Sequence, residues 1–514
     1  MFLNEVLDFN ADRTPEGIAL ITGDRSFTYQ EVRERVNSLA RALPTIAERG
    51  DRVGILSKNV KEYVDALYGV PAAGMILTLL NQRLHPTEWA AIARDAGLRV
   101  ILVHDEYAAA LRAVADEIPS LEHIVVIGDT GSSDGLSYDS LVASGPATAE
   151  DARGSDDDVA WIVYTSGTTG TPKGVMLSHR GLMMGGLAII IEYGARPGDR
   201  TLFTMPLCHA GANSVVMTHT QAGTFVLDSE FEPRAFLKTI QDHRITSTTL
   251  VPTMINMVLN HPDIDNFDLS SLVHFGYGGS VMPVELLKAA IDRFGPILAS
   301  GLGMSEAPGP VLSLTKEDHL RACNGEANLL QSCGKPTFIV HTKVVDDDMV
   351  ECPPGEVGEI VVRGDLLFKG YWNNSAGTED AFRDGWYRTG DMARRDDEGF
   401  FFLVDRRKDM IISGGENVYS AEVERAIYEC PQVSEVAVIG APHPIWVETV
   451  VALVVPKAGE ALTEQDISAW CRDRLAGYKC PRIVEIRDEL PKGSSGKILK
   501  HQLRRDWADR DEAV

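Results

Sequence analysis

The chain has 514 residues and a formal net charge of -25 at pH 7, from 49 basic and 74 acidic side chains. So large an excess of negative charge argues against nucleic acid or an anionic membrane surface as the main partner. The seven cysteines are scattered without a Cys-x-x-Cys pair, which excludes a recognisable zinc cluster or disulfide framework and favours a reducing, cytoplasmic setting.

No targeting or membrane segment is expected from the sequence. The first eleven residues carry acidic side chains and lack the basic and apolar pattern of a signal peptide. The longest apolar stretch, residues 66–80, contains Gly69, Pro71 and Gly74 and is too short and broken to span a bilayer. We predict that it forms a buried helix and a buried strand.

The first 150 residues alternate between helical and strand patterns, which predicts an α/β domain. Thr28 and Glu31 have the spacing of a capping box, so we predict a helix that begins there and continues to residue 43. A second helix is predicted over 86–96. Strands are predicted at 52–56, 99–103 and 125–127.

The same alternation continues from residue 159 to about residue 404. Strands are predicted at 159–164, 201–205, 247–251 and 272–277, and helices at 233–243 and 283–294. After about residue 335 the chain becomes rich in strand and turn residues, which predicts a small β subdomain appended to the α/β layers.

A strongly charged stretch, residues 405–409, precedes a block with its own pattern of helix, strand, strand and helix at 421–428, 433–440, 449–456 and 463–475. We therefore predict a large N-terminal domain over 1–404, a hinge at 405–409 and an α+β C-terminal domain over 410–514.

The stretch from Thr165 to Gly174 contains three glycines, four threonines, one serine and one lysine directly after a predicted buried strand. Glycines let the backbone turn tightly, and successive N–H groups and hydroxyls form a concave set of donors for phosphate oxygens. A polar hairpin loop is the simpler interpretation, but the residue order is too particular for it. The stretch is not a Walker loop, because Lys173 follows proline and precedes glycine.

In these residues the chain resembles the adenylate-forming superfamily, which includes acyl-CoA synthetases, adenylation domains of peptide synthetases and beetle luciferases. Ser-Gly-Thr-Thr-Gly-x-Pro-Lys-Gly is that family's phosphate-binding signature. The resemblance implies an ATP-binding loop and a C-terminal domain that is mobile. The loop residues would be Thr165, Ser166, Gly167, Thr168, Thr169, Gly170 and Lys173.

A second stretch resembles the family pattern Tyr-Gly-x-Thr-Glu. The resemblance places the nucleotide along Gly301, Leu302, Gly303, Met304 and Ser305, with Glu306 as the Mg²⁺ ligand. An oxygen ligand suits magnesium on a triphosphate, although a single glutamate is more often a solvated carboxylate. Leu302 replaces the tyrosine that stacks on adenine in the family.

Two further motifs lie around the predicted hinge. In residues 387–391 the resemblance assigns Asp391 to the ribose, and a carboxylate can accept hydrogen bonds from both hydroxyls of a diol. In residues 405–419 it assigns Arg406 to the ribose or phosphate, and Lys408 to the pivot position. Arg407 is expected to be a solvated neighbour. The pantetheine tunnel of coenzyme A would be lined by Gly414, Gly415 and Glu416.

The last motif, residues 491–498, resembles the family's catalytic-lysine loop and implies that Lys497 bridges the substrate carboxylate and the α-phosphate. The simpler interpretation is a surface lysine in a Gly/Ser linker. Six basic residues nearby could serve the phosphates of CoA or simply be solvated charge: Lys479, Arg482, Lys492, Lys500, Arg504 and Arg505.

The acid-binding pocket has weaker support. His209 falls where the family often has an aromatic residue or a histidine beside the acyl group, but a lone histidine is more often structural. Gly278, Gly279 and Ser280 would form a wall of little bulk. The space they leave argues against a very small acid such as acetate.

The resemblance implies an ATP-dependent ligase that forms an acyl-adenylate and then a CoA thioester, with ATP, Mg²⁺ and coenzyme A as cosubstrates and cofactor. A medium- or long-chain fatty acid is our first expectation and an aryl or arylpropenoic acid the second, with a steroid-derived or sulfur-containing acid also open. Loading of a separate carrier protein and a luciferase-like oxygenase share the motifs. A non-enzymatic relative would be expected to lack Lys497 or Glu306.

Overall fold

A computed structural model describes residues 1–128, 136–146, 154–165, 172–279, 282–407, 409–413, 416–443, 447–493 and 498–511. Within these ranges the helices are α1 (Glu5–Arg13), α2 (Tyr29–Ala42), α3 (Lys61–Ala72), α4 (Pro86–Ala96), α5 (Asp105–Arg112), α6 (Tyr138–Ser144), α7 (His179–Tyr193), α8 (Asn213–Thr220), α9 (Pro233–His243), α10 (Pro252–Leu259), α11 (Val284–Phe294), α12 (Lys316–Cys323), α13 (Ser375–Ala381), α14 (Ser420–Tyr428), α15 (Glu464–Arg472) and α16 (Lys500–Asp511). None of these helices is long and apolar enough to cross a membrane.

The strands in the same ranges are β1 (Ile18–Thr22), β2 (Arg25–Thr28), β3 (Arg52–Leu56), β4 (Ile76–Leu80), β5 (Leu98–His104), β6 (His123–Ile127), β7 (Leu136–Ser137), β8 (Val159–Thr165), β9 (Lys173–Ser178), β10 (Arg200–Phe203), β11 (Thr224–Leu227), β12 (Ser247–Leu250), β13 (His274–Tyr277), β14 (Leu298–Met304), β15 (Ala307–Leu314), β16 (Lys335–Pro336), β17 (His341–Val345), β18 (Val357–Arg363), β19 (Phe382–Arg383), β20 (Trp386–Arg395), β21 (Phe401–Arg406), β22 (Ile411–Ser413), β23 (Glu416–Val418), β24 (Val433–His443), β25 (Val447–Pro456) and β26 (Ile483–Ile486).

Two large sheets contain most of the N-terminal strands. The first has the order β7-β6-β5-β3-β4-β8-β9 and is parallel except for β9, which runs antiparallel to β8. The second has the order β16-β15-β14-β13-β12-β10-β11-β1-β2, with parallel pairing from β14 to β1 and antiparallel strands at both ends. The carboxyl ends of β12, β13 and β14 therefore meet at one edge, where open α/β sheets bind ligands.

One hydrophobic core joins these two sheets. Helices α2, α3 and α8 contribute to a single cluster of buried side chains that also contains Val53 of the first sheet and Phe225 of the second. Buried His219 has both ring nitrogens in hydrogen bonds, to the Tyr68 hydroxyl (2.9 Å) and the Ala19 carbonyl (3.0 Å). Burial lowers the pKa of His219 to about 4, so the ring is a neutral structural link.

The chain divides into two compact units, and each is described by itself. Among the described residues, the first contains those of 1–165, 172–342 and 362–387, and the second contains those of 343–361 and 388–511. The division falls within strands of a third sheet, which has the order β17-β18-β20-β19 with β21 paired to β20. A fourth sheet, β23-β22-β25-β24 with β26 beside β25, lies in the second unit and packs against α14 and α15.

The predicted α/β class and the order of elements agree with the structure. The capping box of α2 is confirmed, because the Thr28 hydroxyl accepts from Glu31 N–H and the Glu31 carboxylate accepts from Thr28 N–H. The strand predicted to continue to residue 205 ends at Phe203, just before Pro206, which has no N–H for a ladder. The predicted C-terminal helix ends at Arg472 rather than residue 475. The domain boundary at 405–409 stays a prediction.

A close contact between α7 and β15 supplies a test of the packing. A methyl group on Gly185 would collide with the Pro308 carbonyl, which also accepts from Asn213 Nδ2 at 2.7 Å. A methyl group on the next residue of the helix, Gly186, would stand 3.8 Å from its nearest neighbour, the Met217 backbone, which is ordinary van der Waals contact.

We predict that Gly185→Ala destabilises the first unit by about 1–3 kcal/mol, because backbone must move to admit the methyl group. The matched variant Gly186→Ala should instead gain about 0.5–1 kcal/mol from reduced chain entropy. Thermal unfolding of both variants measures the difference. Equal stability of the two variants would contradict the packing described here.

Candidate active site

Strands β8 and β9 flank the phosphate loop that the sequence predicts. Thr165 and Lys173 are paired across its two strands, so Lys173 is the first residue of β9. Ser166, Gly167, Thr168, Thr169 and Gly170 lie outside the described residues. After Lys173, a side chain at Gly174 would stand 3.0 Å from Ile162 and from Tyr164, which explains a glycine there.

The 368–372 segment holds β9 and Glu306 together. Its backbone makes two hydrogen bonds with Met176 (2.8 and 3.1 Å) and one with the Gly174 carbonyl (2.7 Å). At its other end the N–H of Phe368 donates to the Glu306 carbonyl at 2.8 Å. This one segment therefore fixes the backbone beside the phosphate loop and the backbone at the predicted metal ligand.

Tyr371 connects the two predicted functional side chains directly. Its hydroxyl donates to Glu306 Oε1 at 2.9 Å, and the ammonium of Lys173 lies 4.7 Å from the centre of its ring. Burial and the adjacent Glu306 charge raise the pKa of Tyr371, so its hydroxyl remains a donor. Sequence analysis missed Tyr371, because a single tyrosine after Lys-Gly has no pattern that marks it.

Glu306 fits the ligand chemistry of nucleotide-bound magnesium. Its second carboxylate oxygen makes no hydrogen bond to any described residue. No group of three or more His, Cys, Asp or Glu that could hold a metal occurs among the described residues. Magnesium on a nucleotide needs only one or two protein carboxylates, because phosphates and water complete its octahedron.

The predicted nucleotide stretch forms the end of β14 and the turn that follows it. Gly301, Leu302, Gly303 and Met304 belong to the strand, and its pairing with β15 shifts register between Leu302 and Met304. Ser305 lies in the turn before Glu306. Leu302 is half-buried and pairs with Leu312 of β15.

The predicted pocket glycines lie beside this stretch. Gly278 follows β13, and a side chain on it would stand 3.6 Å from the Gly301 carbonyl. Gly279 has a φ of +81°, a backbone conformation that favours glycine. His209 precedes a short 3₁₀ turn, and its carbonyl accepts from Ala212 N–H at 2.9 Å. Ser280 lies outside the described residues.

In the second unit, Asp391 and Arg406 face each other on neighbouring strands. The two residues are paired in the β20–β21 register, and Arg406 Nε lies 2.6 Å from Asp391 Oδ1. Asp391 is 3 % exposed, and its N–H donates to the Thr389 hydroxyl at 3.1 Å. The two residues assigned to the ribose by resemblance are therefore brought together.

Arg407 is not a solvated neighbour, as the sequence suggested. Its guanidinium binds the buried carboxylate of Glu359 at 2.9 Å and also pairs with Asp347. Glu359 further accepts from Arg388 at 2.7 Å and from Gly390 N–H at 3.0 Å. A carboxylate buried this deeply requires such partners, so Arg407 has a structural role.

The basic residues near the C-terminus are largely committed to internal ion pairs. Four of the six pair with carboxylates of the same unit: Lys479 with Glu422, Lys492 with Glu435, Lys500 with Glu424, and Arg504 with Asp409. These four are therefore not simply solvated charges. Lys408, Gly414, Gly415 and Lys497 lie outside the described residues, and of Glu416 only the backbone, at the start of β23, is described.

Comparisons with known proteins identify the family. Residues 7–372 match the model of the AMP-binding enzyme family, and residues 422–497 match the AMP-binding enzyme C-terminal domain. A feruloyl-CoA synthase of Amycolatopsis is 38% identical over 502 residues, covering 96% of this chain and 97% of that relative. A medium/long-chain-fatty-acid–CoA ligase of Mycobacterium tuberculosis is 35% identical over 514 residues, covering 96% and 88%.

A solved structure gives the same result. The chain is similar to an anthranilate CoA ligase in complex with anthranoyl-AMP, with a TM-score of 0.88 and 29% identity over 99% of this chain and 97% of that one. The fold and the motifs define an adenylate-forming enzyme. The chain belongs to the AMP-binding enzyme family, and within it to the AMP-forming acid–thiol ligases of acyl-CoA synthetase type.

We predict that Tyr371→Phe weakens magnesium-dependent nucleotide binding about tenfold or more, because Glu306 loses a hydrogen bond that orients its carboxylate. Titration of a non-hydrolysable ATP analogue with and without Mg²⁺ measures the effect. The matched control is Tyr138→Phe, which removes another buried tyrosine–carboxylate bond, to Asp65 at 3.0 Å. Equal Mg²⁺ dependence in the two variants would contradict the positioning role of Tyr371.

We predict different effects for the two neighbouring arginines. Arg407→Ala should lower the stability of the second unit by about 1–2 kcal/mol, because buried Glu359 loses a charged donor. The Arg407→Ala variant should keep the nucleotide dissociation constant within about twofold of wild type, whereas Arg406→Ala should raise that constant several-fold. Calorimetry measures the stability and the nucleotide affinity of each variant. An equal loss of nucleotide affinity in the two variants would contradict the structural role assigned to Arg407.

Proposed function

We propose that this acid–CoA ligase acts on an aryl or arylpropenoic acid, and that it does so in two half-reactions. In the first, an oxygen of the substrate carboxylate attacks the α-phosphorus of ATP, and the bond to the β-phosphate breaks to release pyrophosphate. In the second, the CoA sulfur attacks the acyl carbon of the adenylate. The acyl C–O bond to AMP then breaks, and the thiol proton is lost.

The observation that carries the first half-reaction is the Lys173–Tyr371–Glu306 arrangement in one unit. A cation at the end of the phosphate hairpin and a carboxylate suited to magnesium are held by the same tyrosine. Lys173 would hold phosphate oxygens and Glu306 would hold Mg²⁺, which neutralises charge on the triphosphate when bound.

The remaining roles rest on the motifs. Asp391 would accept hydrogen bonds from the ribose hydroxyls, with Arg406 as its neighbour at 2.6 Å. Lys497 would stabilise charge at the α-phosphate in the first half-reaction. Rotation about Lys408 would then withdraw it and bring the Gly414–Glu416 run to the CoA thiol, an example of conformational gating.

The substrate class is supported by the relatives. Feruloyl-CoA synthases of Amycolatopsis and of Streptomyces are each 38% identical to the chain, and feruloyl is an arylpropenoyl group. A medium- or long-chain fatty acid is the second candidate. It is supported by two Mycobacterium tuberculosis fatty-acid–CoA ligases at 35% and 34% identity.

A screen for pyrophosphate release and for thioester formation tests the proposal. We expect both products with arylpropenoic acids in the presence of MgATP and CoA. Lys497→Ala should lower adenylate formation about 10²-fold or more while still forming thioester from a synthetic acyl-adenylate and CoA. The control is Lys457→Ala, at an exposed position in the same unit.

Each outcome of this screen decides a separate point. Release of pyrophosphate without thioester would point to a carrier protein as the acceptor. Near-normal adenylation by Lys497→Ala would contradict the lysine assignment. Activity restricted to fatty acids would replace the proposed substrate class.

A further inference from the structure

The face of the second sheet that lies towards α7 is lined by residues with little or no side chain. In the parallel register Gly276 of β13 pairs with Ala299 of β14, and paired residues project to the same side. By alternation along β14, Gly301 lies on that side as well, and Gly278 follows the end of β13 beside it. These positions give a floor with no side chain larger than a methyl group, bordered at Gly276 by Thr249, whose Oγ1 would collide with a Cβ on Gly276.

Tyr193, the last residue of α7, stands over this floor at Gly301. Its hydroxyl lies 2.7 Å from the position that a Cβ on Gly301 would occupy, and Pro310 lies 2.9 Å from the same position. The phenol therefore stands directly over the Cα atom of Gly301. Any side chain at residue 301 would displace it.

Stacking holds the Tyr193 ring in place. The ring lies on His274 of β13, with centroids 4.7 Å apart and planes inclined by 26°. His274 is 7 % exposed, and burial lowers its pKa to about 3, so it remains neutral. Neither the Tyr193 hydroxyl nor a His274 ring nitrogen has a hydrogen-bond partner among the residues that the structure describes.

The position of Tyr193 limits the length of an acid that enters from the nucleotide side. Gly301 lies three residues before Met304, the last residue of β14, and the turn that carries Glu306 follows. Three residue steps along a strand cover about 10 Å, which is close to the length of an aromatic ring joined to a three-carbon acid. A long saturated chain would have to pass the stacked Tyr193 and His274 rings.

Resting on the proposed function, we infer that Tyr193 forms the inner wall of the acid pocket and that its hydroxyl binds a polar group at the far end of the substrate. The substrate class is then a flat hydroxyaryl or hydroxyarylpropenoic acid. An acid that offers a hydroxyl satisfies the Tyr193 hydroxyl, whereas an unsubstituted ring leaves it without a partner.

The test compares Tyr193→Phe, Tyr193→Ala and wild type with three probes: 4-hydroxycinnamic acid, cinnamic acid and dodecanoic acid. We expect wild type to prefer the hydroxylated acid over cinnamic acid in kcat/KM. Tyr193→Phe should lower kcat/KM for the hydroxylated acid about tenfold while changing that for cinnamic acid less than twofold. Tyr193→Ala should gain activity with dodecanoic acid, because the end wall is removed.

The control variant is Ile191→Ala, two positions earlier in α7, where the side chain is 52 % exposed. It should leave all three rates unchanged. Equal losses with both aromatic acids in Tyr193→Phe would overturn the inference, as would efficient use of dodecanoic acid by wild type. If Tyr193→Ala fails to fold, the Tyr193→Phe comparison still decides.

The same experiment separates this inference from the proposed function. Pyrophosphate release and thioester formation by wild type with any acid support the ligase activity. If wild type uses aromatic acids but Tyr193→Phe lowers kcat/KM equally for 4-hydroxycinnamic and cinnamic acid, the role of Tyr193 is wrong and the proposed function stands. If wild type forms thioesters only with acids that lack an aromatic ring, both the proposed substrate class and the role of Tyr193 are wrong. No product with any acid in the wider screen would contradict the proposed reaction itself.

Discussion

The candidate site in the first unit depends on one constraint, the hydrogen bond from Tyr371 to Glu306 together with the backbone hydrogen bonds of the 368–372 segment. Lys173 and Glu306 are 133 residues apart in the chain; Lys173 begins β9 of the first sheet, and Glu306 lies in the turn between β14 and β15 of the second. The segment binds β9 through its backbone and Glu306 through both backbone and side chain. Lys173 and Glu306 therefore both contact Tyr371, although they come from distant parts of the chain.

Close approach of backbone explains several of the glycines around this site. Gly174 lies against Tyr164, Gly185 lies against Pro308, and Gly301 lies beneath the Tyr193 hydroxyl. In each case a methyl group would meet atoms that belong to backbone or to a packed ring. The lack of a side chain thus serves packing at Gly185, and it sets the shape of the proposed acid pocket at Gly301.

Charge is arranged differently in the second unit. Buried Glu359 and partly buried Glu424 draw neighbouring cations into internal pairs, and exposed Asp347 adds a second partner for Arg407, which accounts for Arg407 and Lys500. Asp391 is also buried and paired with Arg406, yet Arg406 is half exposed. Arg406 is paired with a carboxylate suited to a diol, whereas Arg407 is committed to Glu359 and Asp347, which separates the proposed role of Arg406 from that of Arg407.

The sequence by itself determined the α/β class, the order of helices and strands, and the family, because these depend on local periodicity, capping and motifs with a particular residue order. It also predicted site roles for Lys173, Glu306, Asp391 and Arg406. Only the tertiary structure decided that Tyr371 joins Lys173 to Glu306, that Arg407 neutralises Glu359, and that Tyr193 stands over Gly301. These contacts form between residues far apart in the chain, and nothing in the local pattern of a single tyrosine or arginine records which distant side chain it will meet.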